Sequence, residues 1–240
     1  MKAYESLGAW FEILNDDCGY AAWEEYLKNL LAPYSFCEGI DVGCGNGYFT
    51  RAFEQSGYRM TGYDISLPML NRAKELSAKH RLKSEYILGD ILTLKVKSRV
   101  DFALAINDCL NYIPPQKLTI AMKRVCSCLK KGGVFLFDIS SQYKLTEKVP
   151  GVSVDDRENV TYLSFNRLEG DHVNMEVTLF VKEKDGSYSR QDESQVQYIH
   201  REQDVVKALE EAGFSLVSVT GHLGESKICS DRLVFVARRS

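Results

Sequence analysis

The sequence lacks the segments that carry a protein into or across a membrane. None of its apolar runs reaches the roughly 18 residues of a transmembrane helix, and no basic stretch followed by an apolar one stands at its start. It also lacks an excess of basic charge, because 30 Lys and Arg residues are set against 33 Asp and Glu, for a formal net charge of −3. These absences predict a cytoplasmic protein that does not bind membranes and is not expected to bind nucleic acids.

Cysteine is present, but not in the pairs that indicate a disulfide framework or a metal site. The seven cysteines are scattered, and the closest two, Cys126 and Cys128, fall in a predicted helix without a neighbouring histidine. Scattered cysteines in odd number are typical of reduced thiols in a cytosolic protein. We therefore expect neither structural zinc nor another bound metal.

What the sequence does contain is one stretch, between residues 38 and 64, with a clear order of elements. An apolar strand ends at Val42, and three glycines follow at alternate positions: Gly43, Gly45 and Gly47. Glycines at this density allow a tight turn and let a ligand approach the backbone closely. A helix comes next, and then a second strand that ends in Asp64. This order is typical of a nucleoside site, in which the carboxylate binds the ribose hydroxyls.

Two classes of nucleoside ligand compete for such a turn. Dinucleotide sites usually have the spacing G-x-G-x-x-G, which seats a pyrophosphate on the helix N-terminus. This chain has G-x-G-x-G, and Asp41 stands two residues before the first glycine. A carboxylate there repels a pyrophosphate but attracts an ammonium group, directly or through water. The pattern favours a ligand with adenosine at one end and an amino acid at the other, and it disfavours an NAD-type oxidoreductase.

The segment DVGCGNG, residues 41–47, resembles the first motif of the class I S-adenosylmethionine-dependent methyltransferases. The resemblance covers roughly residues 36–238 and also includes the phrase LKKGGVFLFD, residues 129–138. It implies a Rossmann-like α/β fold with a mostly parallel seven-stranded sheet in the order 3-2-1-4-5-7-6. The last strand is antiparallel, and helices cover both faces.

The resemblance also implies where the cofactor S-adenosylmethionine would be bound. Asp64 and Ile65 would contact the ribose and adenine, Asp90 and Ile91 would form the adenine corner, and Asn107 would hold the amino-acid end. The expected cofactor contacts are Tyr20, Trp23, Asp41, Gly43, Cys44, Gly45, Asn46, Asp64, Ile65, Asp90, Ile91 and Asn107. Tyr20 and Trp23 enter because N-terminal helices fold over the cofactor pocket in similar small-molecule enzymes.

Residues 151–199 leave the α/β pattern. Apolar residues alternate with polar ones from Val173 to Val181, and Asp185-Gly186 supplies a hairpin turn. We predict an inserted antiparallel sheet of about three strands that forms a lid or a dimer contact. The expected domains are N-terminal helices over the cofactor site (1–34, with helices near 4–14 and 20–31), the cofactor-binding domain (35–150 and 200–240) and this insertion.

Methyl transfer from a sulfonium needs little catalytic machinery, because the methyl group is already activated. It needs the nucleophile about 3 Å from the methyl carbon and in line with the sulfur. A base is needed only if the acceptor must lose a proton. Tyr112 and His200 are the candidates for that role, with Asp108 and Asp138 as further strand-end carboxylates. For His200 the sequence favours a purely structural role over that of a base.

The sequence thus predicts a methyltransferase that acts on a small molecule. It does not decide whether the protein forms a homodimer. The loop at residues 107–112, NDCLNY, lacks the Asn/Asp-Pro-Pro-Tyr order of many enzymes that methylate DNA adenine or protein glutamine. Methylation of tRNA or protein remains an alternative within the enzyme class. A non-catalytic module that only binds the cofactor is an alternative outside it.

Overall fold

A computed structural model describes residues 7–240, so the start of the first predicted helix lies outside the described residues. The main sheet has seven strands: β1 (Glu38–Val42), β2 (Arg59–Asp64), β3 (Glu85–Leu88), β4 (Val100–Ala105), β5 (Leu129–Ser140), β10 (Phe214–Thr220) and β11 (Arg232–Arg239). Their spatial order is β10-β11-β5-β4-β1-β2-β3. The first five strands along the chain pair in parallel, and β11 pairs antiparallel with both β5 and β10. With β10 and β11 as strands six and seven, the predicted order is confirmed.

Helices cover both faces of this sheet. They are α1 (Phe11–Leu14), α2 (Tyr20–Leu31), α3 (Tyr48–Gln55), α4 (Leu67–Lys79), α5 (Pro115–Cys128) and α6 (Glu202–Ala212). Strand β4 is apolar almost throughout because it is covered on both sides. Its Phe102 and Leu104 pack with α2 and α3, whereas Ala103 and Ala105 pack with α5 and α6. Among the described residues, no helix is long and apolar enough to cross a membrane.

The insertion forms a separate antiparallel sheet of four strands, not about three. These are β6 (Gly151–Asp156), β7 (Val160–Glu169), β8 (His172–Lys182) and β9 (Tyr188–Tyr198), in the order β6-β7-β8-β9. The sequence pattern missed the edge strand β6 because its alternating valines face outward. Val152 and Val154 are 61% and 63% exposed, so they do not mark a buried face.

The N-terminal segment joins the two sheets. The predicted single helix near residues 4–14 is a 3-10 turn, Leu7–Ala9, followed by the four-residue helix α1. Three apolar side chains of this segment, Leu7, Trp10 and Leu14, pack against a cluster on the inserted sheet. The segment therefore closes one side of the space between the inserted sheet and the main sheet.

Candidate active site

A cavity of about 1000 Å³ lies at the carboxyl ends of the main-sheet strands. Its walls are the glycine turn after β1, the ends of β2 and β3, the loop after β4, the N-terminal segment and the inserted sheet. Ligands of open α/β sheets bind at this edge of the fold. The cavity gathers most of the residues expected to contact a cofactor: Tyr20, Asp41, Gly43, Cys44, Gly45, Asn46, Asp64, Ile65, Asp90, Ile91 and Asn107.

The glycine turn is shaped by backbone conformations that other residues rarely adopt. Gly43 has φ +71°, and the N–H groups of Gly43 and Cys44 both donate to the Tyr63 carbonyl, at 2.7 and 3.0 Å. A Cβ atom at Gly43 would lie 2.4 Å from the Cys109 sulfur. Both the left-handed backbone and this close approach require glycine at the position.

Asp64 links the glycine turn to the end of β2. Its Oδ2 accepts from the Gly45 N–H at 2.8 Å, and its Oδ1 accepts from the Ser66 N–H at 2.8 Å. Burial raises the pKa of Asp64, while the backbone N–H groups oppose that shift. The carboxylate is thereby held in place beside the turn.

Asp41 is buried in the wall behind the turn. It is 2% exposed, and its Oδ2 accepts from the Thr50 hydroxyl at 2.6 Å. Burial raises the pKa of Asp41 to about 6, with the Thr50 hydrogen bonds opposing. The same burial raises the pKa of the Cys44 and Cys109 thiols, which disfavours a thiolate nucleophile.

The β2 and β3 ends form the wall expected to receive adenine. The Asp90 carboxylate accepts from the Leu92 N–H at 2.8 Å and caps a short 3-10 turn, Ile91–Thr93. Ile65 is 50% exposed and lines the cavity, and so does Ile91, the buried first residue of this turn. An apolar side chain and fixed polar groups meet here, as in many ligand pockets.

Tyr20 and Trp23 occupy different environments. Tyr20 lines the cavity, and its hydroxyl accepts from Asn107 Nδ2 at 3.3 Å. Trp23 is 1% exposed and packs in the core of the main sheet, with its ring 5.3 Å from that of His222. Trp23 thus faces the core of the main sheet and does not line the cavity. The expectation that Trp23 contacts the cofactor is corrected accordingly.

The loop after β4 is held in an unusual conformation by a buried carboxylate. Asn107 and Asp108 have φ +66° and +51°, a region that non-glycine residues rarely occupy. Asp138, at the end of β5, accepts from both of their N–H groups, at 2.6 and 3.2 Å. Its carboxylate is fully buried and also accepts from the Arg232 guanidinium. Burial raises the pKa of Asp138, and Arg232 opposes that shift.

The two candidates for a base are placed very differently. Tyr112 lines the cavity, and its hydroxyl donates to Gln195 Oε1 at 3.1 Å. His200 is 3% exposed, does not line this cavity, and has its Nε2 3.0 Å from the Leu110 carbonyl oxygen. Burial lowers the pKa of His200. His200 is therefore buried outside this cavity, whereas Tyr112 lies in its wall.

Comparison with known proteins identifies the fold around this cavity. Residues 40–133 match a family described as a methyltransferase domain. A provisionally named methyltransferase of Geobacillus sp. (strain WCH70) is 29% identical over 98% of this chain and 99% of its own length. The crystal structure of an S-adenosylmethionine-dependent methyltransferase from Clostridium acetobutylicum is 25% identical, covers 97% of this chain and 96% of that one, and superposes with a TM-score of 0.89.

This chain therefore contains a methyltransferase domain at residues 40–133, and it has the fold of the class I S-adenosylmethionine-dependent methyltransferases. The methyltransferase also shares its fold with the sugar N-methyltransferase KedS8 from Streptoalloteichus sp.. That likeness covers 100% of this chain and 96% of KedS8 with a TM-score of 0.81, but at 18% identity it concerns the fold alone.

The sequence did not predict several polar residues that contribute to this site. Glu12 accepts from Asn46 Nδ2 at 3.3 Å and from Arg72 at 2.8 and 3.0 Å, and so ties α1 to the glycine turn and α4. No motif marks Glu12. In contrast, polar residues at alternate positions of β9, including Gln195 and Gln197, form a pattern that could have been read as one face of a strand.

No metal centre accompanies these groups in the described part of the methyltransferase. Within residues 7–240, no set of three or more His, Cys, Asp or Glu side chains is placed to hold an ion. All seven cysteines are free.

Proposed function

We propose that this methyltransferase transfers the methyl group of S-adenosylmethionine to a small molecule held between the loop after β4 and the inserted sheet. The observation that carries the proposal is one continuous cavity of about 1000 Å³, which reaches from the glycine turn to β9. Ligand cavities commonly measure about 300–1000 Å³. This cavity therefore has room for the cofactor and for a second small molecule beside it.

In this proposal the cofactor lies along the carboxyl ends of the central strands. Asp64 binds the ribose hydroxyls, and Asp90, with the Ile91 N–H and the Ile65 side chain, holds the adenine. At the other end of the cofactor, Asp41 and Asn107 hold the amino-acid group. The glycine turn lies between these ends, and Tyr20 covers the cofactor from α2. The support is that these groups already line one cavity in this order along the strand ends.

The bound cofactor supplies an activated methyl group, and the chain's own residues supply position. The Asp138–Arg232 pair fixes the backbone of Asn107 and Asp108 before any ligand arrives. Because the loop is already held, little conformational entropy is lost when the acceptor is aligned with the methyl carbon. Tyr112 is positioned to contact the acceptor.

We further infer that residues 1–34 and 151–199 act as covers for the domain formed by residues 35–150 and 200–240. The support is the apolar contact between the N-terminal segment and the inserted sheet, which encloses the cavity on two sides. Such enclosure favours a small acceptor over tRNA or a folded protein. A cytoplasmic location and a homodimer remain predictions from the sequence.

Calorimetry with the purified protein tests the proposed cofactor site. We expect S-adenosylmethionine and S-adenosylhomocysteine to bind with micromolar dissociation constants, and NAD not to bind, because Asp41 disfavours a pyrophosphate at the turn. Binding of NAD alone would contradict the proposal. Cofactor binding without turnover across a broad panel of acceptors would favour a non-catalytic module.

The raised pKa of Asp41 predicts that cofactor affinity depends on pH. Asp41 titrates near pH 6 in the free protein, and only its ionised form attracts the cofactor's ammonium group. Affinity should therefore rise by up to about tenfold between pH 5 and pH 7.5, because only about a tenth of Asp41 is ionised one pH unit below its pKa. Titration calorimetry at both pH values measures this, and Asp41→Asn is the control that should bind weakly and without this rise. An equally steep rise in Asp41→Asn would assign the effect to another group.

The Asp41 carboxylate also makes the stability of the ligand-free protein depend on pH. Its folded pKa lies above the unfolded value, so the folded state holds the extra proton between about pH 4 and pH 6. Asp41 therefore contributes a loss of stability as pH rises through that window. This is the opposite sign to the rise in cofactor affinity, so the two effects can be separated.

A further inference from the structure

Three polar side chains of β9 form a row, and two of them bond to the loop after β4. Glu193, Gln195 and Gln197 alternate on one face of the strand and are only 3%, 7% and 7% exposed. Burying polar side chains costs free energy unless they are hydrogen-bonded, and an apolar row would pack this interface without that cost. The polar row therefore indicates a function beyond packing.

Two carboxylates fix the direction of the hydrogen bonds in this row. Glu193 Oε1 accepts from Gln195 Nε2 at 2.8 Å, so the Gln195 carbonyl oxygen is the atom that accepts from the Tyr112 hydroxyl at 3.1 Å. At the other end, Asp108 Oδ2 accepts from Gln197 Nε2 at 3.2 Å. A carboxylate accepts and does not donate. Rotating either side-chain amide by 180° would therefore place its oxygen against a carboxylate and remove that hydrogen bond.

This fixed direction leaves two acceptor oxygens at the cavity wall. Both hydrogens of the Gln197 amide are engaged, because its nitrogen also donates to the Tyr112 hydroxyl at 3.2 Å. No donor within residues 7–240 bonds to the Gln197 carbonyl oxygen. Beside it, Asp108 Oδ1 lies 3.9 Å from Arg232 Nη1, which is too far for a hydrogen bond. Asp108 and Gln197 both line the cavity and are joined to each other.

We propose, building on the function proposed above, that the methyl acceptor is a primary amine whose two N–H groups are bound by Asp108 and Gln197. A neutral amine has two hydrogens for these two oxygens and keeps a lone pair free to attack the methyl carbon. A hydroxyl group has one hydrogen and would leave one oxygen without a donor. Sites with such acceptors reject analogues that lack the matching hydrogen.

The transfer balances without a further reactant. The nitrogen lone pair forms the bond to the methyl carbon while the carbon–sulfur bond breaks, and the sulfur keeps that electron pair as a neutral thioether. The product is a methylated ammonium group. An alkyl amine is protonated at neutral pH, so the acceptor first releases one proton to water, and the neutral amine then carries the attacking lone pair. No base of the protein is needed during the transfer itself.

Sinefungin tests this inference, because it carries an amine on the carbon that replaces the methylated sulfur of the cofactor. Its amine would lie beside the oxygens proposed to bind the acceptor. We expect calorimetry to show sinefungin binding about tenfold more tightly than S-adenosylhomocysteine, as for one good hydrogen bond to a charged group. We call the ratio of these two affinities the margin. In the variants Asp108→Asn and Gln197→Leu the margin should fall to about threefold or less. Asparagine suits the left-handed backbone at residue 108.

Gln195→Leu is the matched control. Gln195 lies in the same buried row, but both ends of its amide are already paired within the protein, so this variant should keep the margin. Equal binding of the two ligands by the unmodified protein would overturn the inference. So would a margin that survives in both test variants or is lost equally in the control. Failure of both ligands to bind the unmodified protein would instead contradict the proposed function. If Gln197→Leu fails to fold, Asp108→Asn alone decides.

Discussion

Replacing Asp64 by alanine should weaken S-adenosylmethionine binding about 100-fold. In the proposed site this carboxylate binds the ribose hydroxyls, and hydrogen bonds to a charged group contribute about 1.5–3 kcal/mol each. The variant also removes the acceptor of the Gly45 N–H, so the glycine turn loses one of its hydrogen bonds to the end of β2. Titration calorimetry of the purified Asp64→Ala protein measures the change.

Two controls separate ligand binding from folding in that experiment. Asp64→Asn keeps the shape and one acceptor oxygen, and we expect it to bind with intermediate affinity. Glu75→Ala removes a carboxylate that is 64% exposed on α4, outside the cavity, and should leave the affinity unchanged. An Asp64→Ala affinity within about threefold of the unmodified protein, with thermal unfolding intact, would remove Asp64 from the ribose site.

Replacing Asp138 by alanine should destabilise the protein by about 3–5 kcal/mol, the cost of leaving one charge of a buried pair without its partner. Asp138 is fully buried, and the partner Arg232 side chain is 16% exposed. The change also frees the N–H groups of Asn107 and Asp108, whose left-handed backbone then loses its support. Chemical denaturation measures the free energy of unfolding, and calorimetry measures the accompanying loss of cofactor affinity.

Asp101 offers a matched control for this second prediction. Its carboxylate also accepts from two backbone N–H groups, those of Cys37 and Glu38, and pairs with Lys130. It lies at the start of β4, away from the cavity, and the lysine is 50% exposed. Asp101→Ala should therefore cost only about 1–2 kcal/mol and leave cofactor affinity unchanged.

A double variant tests whether the unpaired charge of Arg232 causes this loss of stability. Asp138→Ala with Arg232→Met removes both charges, so part of the lost stability should return, because no unpaired charge stays buried. Cofactor affinity should not return, since the N–H groups of the loop remain without their acceptor. Equal costs for Asp101→Ala and Asp138→Ala, or no recovery in the double variant, would argue against a buried pair that positions the loop.

The order of the main sheet was predictable because its signals are local. Parallel strands covered on both faces have short apolar runs, such as β4, and an amphipathic helix follows β1, β2 and β4. The glycine turn and Asp64 lie within a single strand–helix–strand unit, so their spacing alone marks the cofactor end of the cavity. The inserted sheet was recognisable by its alternation. Its edge strand β6 was not, since its valines face outward.

The acceptor end of the cavity was decided only by tertiary structure. Asp108 and Gln197 are 89 residues apart, and Asp138 and Arg232 are 94 apart, so no local spacing relates the members of either pair. Whether Tyr20 and His200 line the cavity likewise depended on tertiary packing: Tyr20 lines it, and His200 does not.

By itself, then, the sequence determined the fold and the cofactor, because both follow from hydrophobic period and from a glycine turn whose residues are neighbours in the chain. The tertiary structure alone determined which polar groups face the acceptor. Those groups come from separate elements, and the direction of their hydrogen bonds is set only when two carboxylates, Asp108 and Glu193, are brought to either end of one row.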